Sequence, residues 1–155
     1  MLTTKIRSLL FLVIYNYLYQ DNFIDYDTSS ETNIVERISD IYIDANYSKT
    51  HLQEKPSFST EEIEELKDFF KEFKVLIPTI QVEARKYINW DKTSFILQSI
   101  LMLLLAELQT ISSGGIQVTA DQKKLITRSY LKLCQQYIDN QSVSLLHAVL
   151  TKVLD

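Results

Sequence analysis

The sequence is poor in the residues that build turns. Its 155 residues include only two glycines and two prolines, whereas an average chain carries about 7% glycine and about 5% proline. Sheet proteins need turn signals about every 8–12 residues, and phosphate-binding loops are rich in glycine. The scarcity argues against β-sandwiches, barrels and glycine-loop nucleotide folds, and it predicts an all-α protein.

Cysteine and long apolar runs are also scarce. Cys134 is the single cysteine of the chain, which excludes an internal disulfide and fits a reducing compartment. The longest uninterrupted apolar runs, residues 9–15 and 100–106, have seven residues each, far fewer than the roughly 20 that span a bilayer. We therefore expect a cytoplasmic protein without a membrane span.

The chain has no excess of positive charge. Sixteen basic and twenty acidic residues give a formal net charge of −4, whereas a dedicated nucleic-acid-binding domain is usually strongly basic. A nucleic-acid site would therefore have to be a local basic patch or be completed by a partner.

Residues with catalytic or metal-binding chemistry are few. His51 and His147 do not stand at metal-ligand spacing with each other or with a cysteine. Cys134 and His147 could form a nucleophile–base pair, although a cysteine on a core-facing helical position is usually a small buried hydrophobe. Four acidic residues stand where a helix begins and where acids stabilise it: Glu61, Glu62, Glu64 and Glu65. We predict neither an enzyme nor a metal or cofactor site.

Helix signals divide the chain into about seven segments. The first covers residues 4–20, and the second begins near Ser30. The third opens at a capping box formed by Ser59 and Glu62, and Pro78 is expected to interrupt it and to start the fourth. The remaining three cover residues 93–111, 120–137 and 142–154.

Both glycines, Gly114 and Gly115, fall between the fifth and sixth segments, where we expect the most flexible joint. A second capping box, formed by Thr119 and Gln122, opens the sixth segment.

Four stretches resemble the bacterial transcription antitermination factor NusB family, in the order of that family. Residues 90–108 (WDKTSFILQSILMLLLAEL) are similar to its fifth helix, and residues 118–130 keep the layout of the stretch that follows. Residues 14–20 (IYNYLYQ) echo an N-terminal motif, and residues 145–152 (LLHAVLTK) echo a C-terminal one.

The resemblance implies an all-α, NusB-like fold of two packed helical subdomains within one domain of residues 1–155, divided into residues 1–77 and 78–155. It also implies transcription antitermination. Such proteins bind boxA-type single-stranded RNA together with the ribosomal protein NusE and act on RNA polymerase within an antitermination complex during ribosomal RNA transcription. The alternatives are a helical protein-interaction module of this fold that has lost RNA binding, acting through protein contacts or as a homodimer, and an unrelated helical protein with a small-molecule pocket or Cys134–His147 chemistry.

The resemblance also implies where RNA would bind. The family contacts RNA through an arginine-rich N-terminal stretch, of which this sequence keeps Lys5 and Arg7. Lys124 and Arg128, spaced to share a helix face, form a secondary candidate. Lys5 and Arg7 precede the apolar run of residues 9–15, and a short basic stretch in that place is usually a solvated helix end. We expect their joint replacement by alanine to weaken RNA binding of the complex with NusE while leaving thermal stability nearly unchanged.

Overall fold

The computed structural model describes residues 2–20, 57–115, 117–137 and 140–155. These ranges contain no strand; they form five α-helices and one 3-10 turn over Trp90–Lys92. The helices are α1 (Thr4–Gln20), α2 (Thr60–Ala84), α3 (Phe95–Ser113), α4 (Ala120–Tyr137) and α5 (Asn140–Leu154). The all-α prediction is confirmed for the described residues.

Helix α3 is the centre of the fold. It packs against α1, α2 and α4, while α5 packs against α4. Eleven consecutive residues of α3, from Leu97 to Glu107, are buried. By length and composition α3 could also cross a membrane, but a core helix enclosed by its neighbours has the same composition.

The number of helices differs from the seven that the sequence predicted, since the described residues form five. The predicted helix near Ser30 lies outside the described residues. The predicted third and fourth segments are one helix, because α2 continues through Pro78.

Pro78 does not end α2 because the other side of the helix is held in the core. Proline removes one helical hydrogen bond and crowds the preceding turn, yet Pro78 is exposed while Phe73, Ile80 and Ala84 are buried. The division of the chain at residues 77/78 stays a prediction, and α2 passes through that position.

The two predicted capping boxes are confirmed. The Ser59 hydroxyl accepts from the backbone N–H of Glu62 at 3.1 Å, and the Glu62 carboxylate accepts from the backbone N–H of Ser59 at 3.0 Å. Thr119 and Gln122 make the same reciprocal pair at the start of α4, at 3.2 and 2.9 Å. At the end of α3, Gly115 adopts a positive φ of 75°, a conformation that glycine adopts without strain.

Loss of the Ser59 cap should destabilise the protein measurably. We expect Ser59→Ala to lower the free energy of unfolding by about 1 kcal/mol, measured by urea titration. Ser113→Ala, an exposed serine in the last turn of α3, is the matched control and should change it by less than about 0.5 kcal/mol. Equal effects of the two substitutions would show that the cap contributes nothing specific.

Candidate nucleic-acid interface

Lys5 joins the start of α1 to the start of α2. Its ammonium lies 3.0 Å from the Glu62 Oε2 atom, donates to the backbone carbonyl of Ser57, and lies 5.1 Å from the centre of the Phe58 ring. The side chain is still partly exposed. A phosphate approaching Lys5 would therefore also meet the Glu62 carboxylate.

Glu62 is held in its ionised form by these contacts. The backbone N–H of Ser59, and then the Lys5 ammonium, lower the pKa of the Glu62 carboxyl below its usual value. Because the carboxylate is charged at neutral pH, it offsets the Lys5 charge and reduces the attraction of this end of α1 for RNA.

Arg7 is buried in the core with only 3% of its surface exposed. Its Nε atom donates to Glu107 Oε1 at 3.1 Å, and its Nη2 atom lies 2.9 Å from both Glu107 carboxylate oxygens. Nη2 also donates to the Leu2 carbonyl at 3.1 Å. Glu107 is itself only 2% exposed, so the two charges form a buried ion pair between α1 and α3.

Tyr130 of α4 completes this cluster. Its hydroxyl donates to Glu107 Oε1 at 3.2 Å, and its ring lies 5.1 Å from the Arg7 guanidinium carbon. Burial, reinforced by the Glu107 carboxylate, raises the pKa of the Tyr130 hydroxyl well above its usual value. The hydroxyl therefore stays protonated as a donor, and the Arg7–Glu107–Tyr130 cluster links α1, α3 and α4.

This cluster corrects one expectation from the sequence. Removing one partner of a buried ion pair leaves an uncompensated charge and typically costs about 3–5 kcal/mol, so the joint replacement of Lys5 and Arg7 by alanine cannot leave stability unchanged. RNA contact by Lys5 and Arg7 stays a prediction, but in this structure the Arg7 guanidinium is engaged by Glu107 rather than presented to solvent.

Helix α4 carries exposed cations that, unlike Lys5, form no ion pair with a carboxylate of the described residues. Lys124, Arg128 and Lys132 stand at positions i, i+4 and i+8, which share one helix face, and all three are exposed. No carboxylate in the part of the chain that the structure describes forms an ion pair with them. We call these three residues the α4 basic stripe.

Two grooves run beside the α4 basic stripe, and Arg128 lines both. The groove between α1 and α4 has a volume of about 420 Å³ and is lined by Thr4 and Ser8 of α1. Ser129 also lines it, but its hydroxyl donates to the Leu125 carbonyl at 2.8 Å. The groove between α4 and α5 has a volume of about 370 Å³ and includes Lys123 and Lys124, with Asp155 as its one acidic side chain. Cations beside hydroxyl donors are the groups that contact phosphates in nucleic-acid complexes.

The sequence identified two members of the stripe and missed the third. Lys124 and Arg128 were predicted to share a face, and the structure places them so. Lys132 follows Arg128 at the same four-residue spacing, so extending the helical pattern by one turn would have found it. The hydroxyls of α1 could not be found in this way, because only the folded chain brings α1 and α4 to the same groove.

The structure gives no support to catalysis by Cys134 and His147. Cys134 is completely buried, whereas His147 is exposed, and a nucleophile must be accessible to substrate. His51 lies outside the described residues. Among the residues that the structure describes, no group of three histidine, cysteine or acidic side chains could hold a metal ion.

Comparison with known proteins finds a similar solved structure but no match by sequence. No protein-family model matches the sequence, and no curated protein matches it. The chain is similar to a chain in the crystal structure of the antitermination factors NusB and NusE in complex with dsRNA, with a TM-score of 0.66 and 16% sequence identity. The similarity covers 97% of this chain and 94% of that chain.

The fold and the site together define a class of protein: a small helical protein, built around a buried central helix, with a basic stripe on its surface. More particularly, the similarity over nearly the whole chain shows a NusB-like fold. At 16% identity it is the fold that this similarity establishes.

Proposed function

We propose that this protein is a NusB-like transcription antitermination factor that binds single-stranded RNA of the boxA type together with NusE. In this role it would act within an RNA polymerase antitermination complex during ribosomal RNA transcription, in the cytoplasm and without enzymatic activity. The observation that carries the proposal is the α4 basic stripe, whose three exposed cations have no carboxylate partner among the described residues. The stripe lies on a fold similar to that of a chain in a solved complex of NusB, NusE and dsRNA.

The stripe supports RNA binding through the geometry of its charges. Successive cations four residues apart are separated by about 6 Å along the helix axis, which is close to the spacing of phosphates along an extended single strand. Arg128 can pair with a phosphate through two parallel N–H groups, while Lys124 and Lys132 act as point charges at either side. The adjacent hydroxyls of Thr4 and Ser8 add donors without adding negative charge.

A partner is expected because the chain is acidic overall. With a net charge of −4, long-range attraction of RNA is weak, and the ion pairs of Lys5 and Arg7 reduce the basic surface further. A second protein that adds cations beside the stripe would raise the affinity of the complex for RNA. NusE is the partner that we propose for this role.

The second candidate is a protein-interaction module of the same fold without RNA binding. The observation that favours it is the engagement of both N-terminal cations by carboxylates within the protein. Such a module would act through protein contacts or as a homodimer, which sedimentation velocity across a concentration series would detect.

A titration separates the two candidates. Fluorescence anisotropy of a labelled boxA-type RNA is measured with this protein alone, with NusE alone, and with an equimolar mixture. We expect weak binding to this protein alone and binding at least tenfold tighter to the mixture than to either protein. If the mixture binds RNA no more tightly than NusE alone, the RNA-binding proposal is wrong and the interaction module is favoured.

A further inference from the structure

A second groove lies on the face formed by α2 and α3, and it is acidic. Its volume is about 690 Å³, larger than that of either groove beside the α4 basic stripe. The N-terminal half of α2 and the C-terminal end of α3 form its walls, and Leu2 also lines it. We call it the α2–α3 groove.

The floor of the α2–α3 groove is apolar. Leu2, Phe69 and Ile111 line it, and Phe69 is packed in the core against Phe73 with the ring centres 5.8 Å apart. Leu2 and Ile111 are half-buried, so they offer apolar surface to an occupant. A concave surface of this kind gains binding free energy when an apolar side chain covers it.

The rim of the groove carries five carboxylates of α2: Glu61, Glu64, Glu65, Asp68 and Glu72. Residues 61, 65, 68 and 72 recur every three or four positions, so their side chains follow one face of the helix for about 16 Å. Acids at the first turn stabilise a helix, but those beyond it stand four residues from other acids and repel them. Lys67 lies 4.0 Å from Glu64 and offsets part of this charge. The remaining repulsion would be relieved by a cationic occupant.

We propose that the α2–α3 groove binds a basic amphipathic helix of a partner protein. Carboxylates spaced one per turn match lysine or arginine side chains spaced one per turn on a helix that lies alongside α2, and the apolar floor accepts the apolar side chains between them. The same rim repels nucleic acid, so a protein is the occupant that its charge selects. This inference does not depend on the proposed RNA binding.

The α2–α3 groove and the α4 basic stripe can be occupied at the same time. Glu107 lines the α2–α3 groove, and its ion-pair partner Arg7 lines the groove beside the stripe. The two grooves share no lining residue, and the buried Arg7–Glu107 pair is formed by one lining residue of each. A partner helix in one would not obstruct RNA at the other.

The test uses a designed peptide and the full-length protein. The probe is an acetylated and amidated 14-residue peptide with lysine once per turn and leucine once per turn on adjacent faces; a scrambled peptide of the same composition is the reference. Isothermal titration calorimetry should give binding at least tenfold tighter for the amphipathic peptide. Glu65→Gln with Asp68→Asn should weaken that binding about five- to tenfold, since exposed charge pairs are individually weak.

Matched variants make the result specific. Glu83→Gln with Asp91→Asn removes the same charge outside the groove and should leave peptide affinity unchanged, whereas Ile111→Ser should weaken it through the floor. Equal losses in the two charge variants, or equal affinity for the scrambled peptide, would overturn the proposal. It would also be overturned by self-association that the Glu65→Gln and Asp68→Asn changes abolish, because a second copy would then be the occupant. RNA affinity should be the same for both charge variants, which keeps this test separate from that of the proposed function.

Discussion

Arg7→Ala should lower the free energy of unfolding by about 3–5 kcal/mol, because it leaves the buried Glu107 without its cationic partner. For a protein of this size, that loss corresponds to a decrease in Tm of roughly 6–20 °C. Urea unfolding followed by circular dichroism gives the free energy, and the thermal midpoint gives an independent measure. Glu107→Ala should have a similar effect by leaving the guanidinium unpaired.

Two control variants test whether the loss of stability comes from the unpaired buried charge. Lys5→Ala removes an exposed cation that pairs with Glu62 and should cost less than about 1 kcal/mol. The triple variant Arg7→Met, Glu107→Leu, Tyr130→Phe replaces the whole cluster by apolar groups, and it should recover most of the stability that Arg7→Ala loses.

An unchanged urea midpoint for Arg7→Ala would show that the guanidinium is not held by Glu107. It would then be free for the RNA contact that the sequence predicted. The same measurement matters for RNA-binding assays, because an unstable Arg7 variant loses RNA affinity through unfolding alone.

Joint replacement of Lys124, Arg128 and Lys132 by alanine should lower RNA affinity roughly a hundredfold near 0.1 M salt. The estimate follows from the salt dependence of binding to single strands, in which each phosphate contact contributes about 0.7 to the slope of log K against log salt. Three lost contacts should therefore make that slope shallower by about 2. The measurement is the anisotropy titration with NusE present, repeated at several salt concentrations.

The control for the stripe removes the same charge elsewhere. Lys71, Lys86 and Lys92 are exposed and lie outside the grooves beside α4, so their joint replacement by alanine should change RNA affinity only slightly. Because all six residues are on the surface, both triple variants should keep nearly the wild-type unfolding midpoint. Equal losses of RNA affinity would mean that overall charge, rather than the stripe, attracts the RNA.

The local structure was largely predictable because its causes are local. The bounds of α1 agree with prediction, and the capping boxes at Ser59 and Thr119 form as their spacing predicts. Lys124 and Arg128 share a face because a helix repeats every 3.6 residues. Each of these features depends on residues within about one turn of one another.

Pro78 is a position at which the local sequence did not predict the structure. Its effect on the backbone is the same in every helix, but whether the helix ends there depends on the burial of Phe73, Ile80 and Ala84 against other helices. That burial is a tertiary contribution, and it outweighs the loss of one hydrogen bond.

The sequence by itself determined the helical class, the capped starts of α2 and α4, and the helical register of the cations on α4. Only the tertiary structure decided which cations are exposed and able to contact an anionic partner. Arg7 and Glu107 are 100 residues apart in the chain, so no local pattern could pair them. The packing of α1 on α3 excludes water from both side chains, and a guanidinium out of water requires a carboxylate beside it. The α4 basic stripe, in contrast, is exposed to solvent, where its cations can bind an anionic partner.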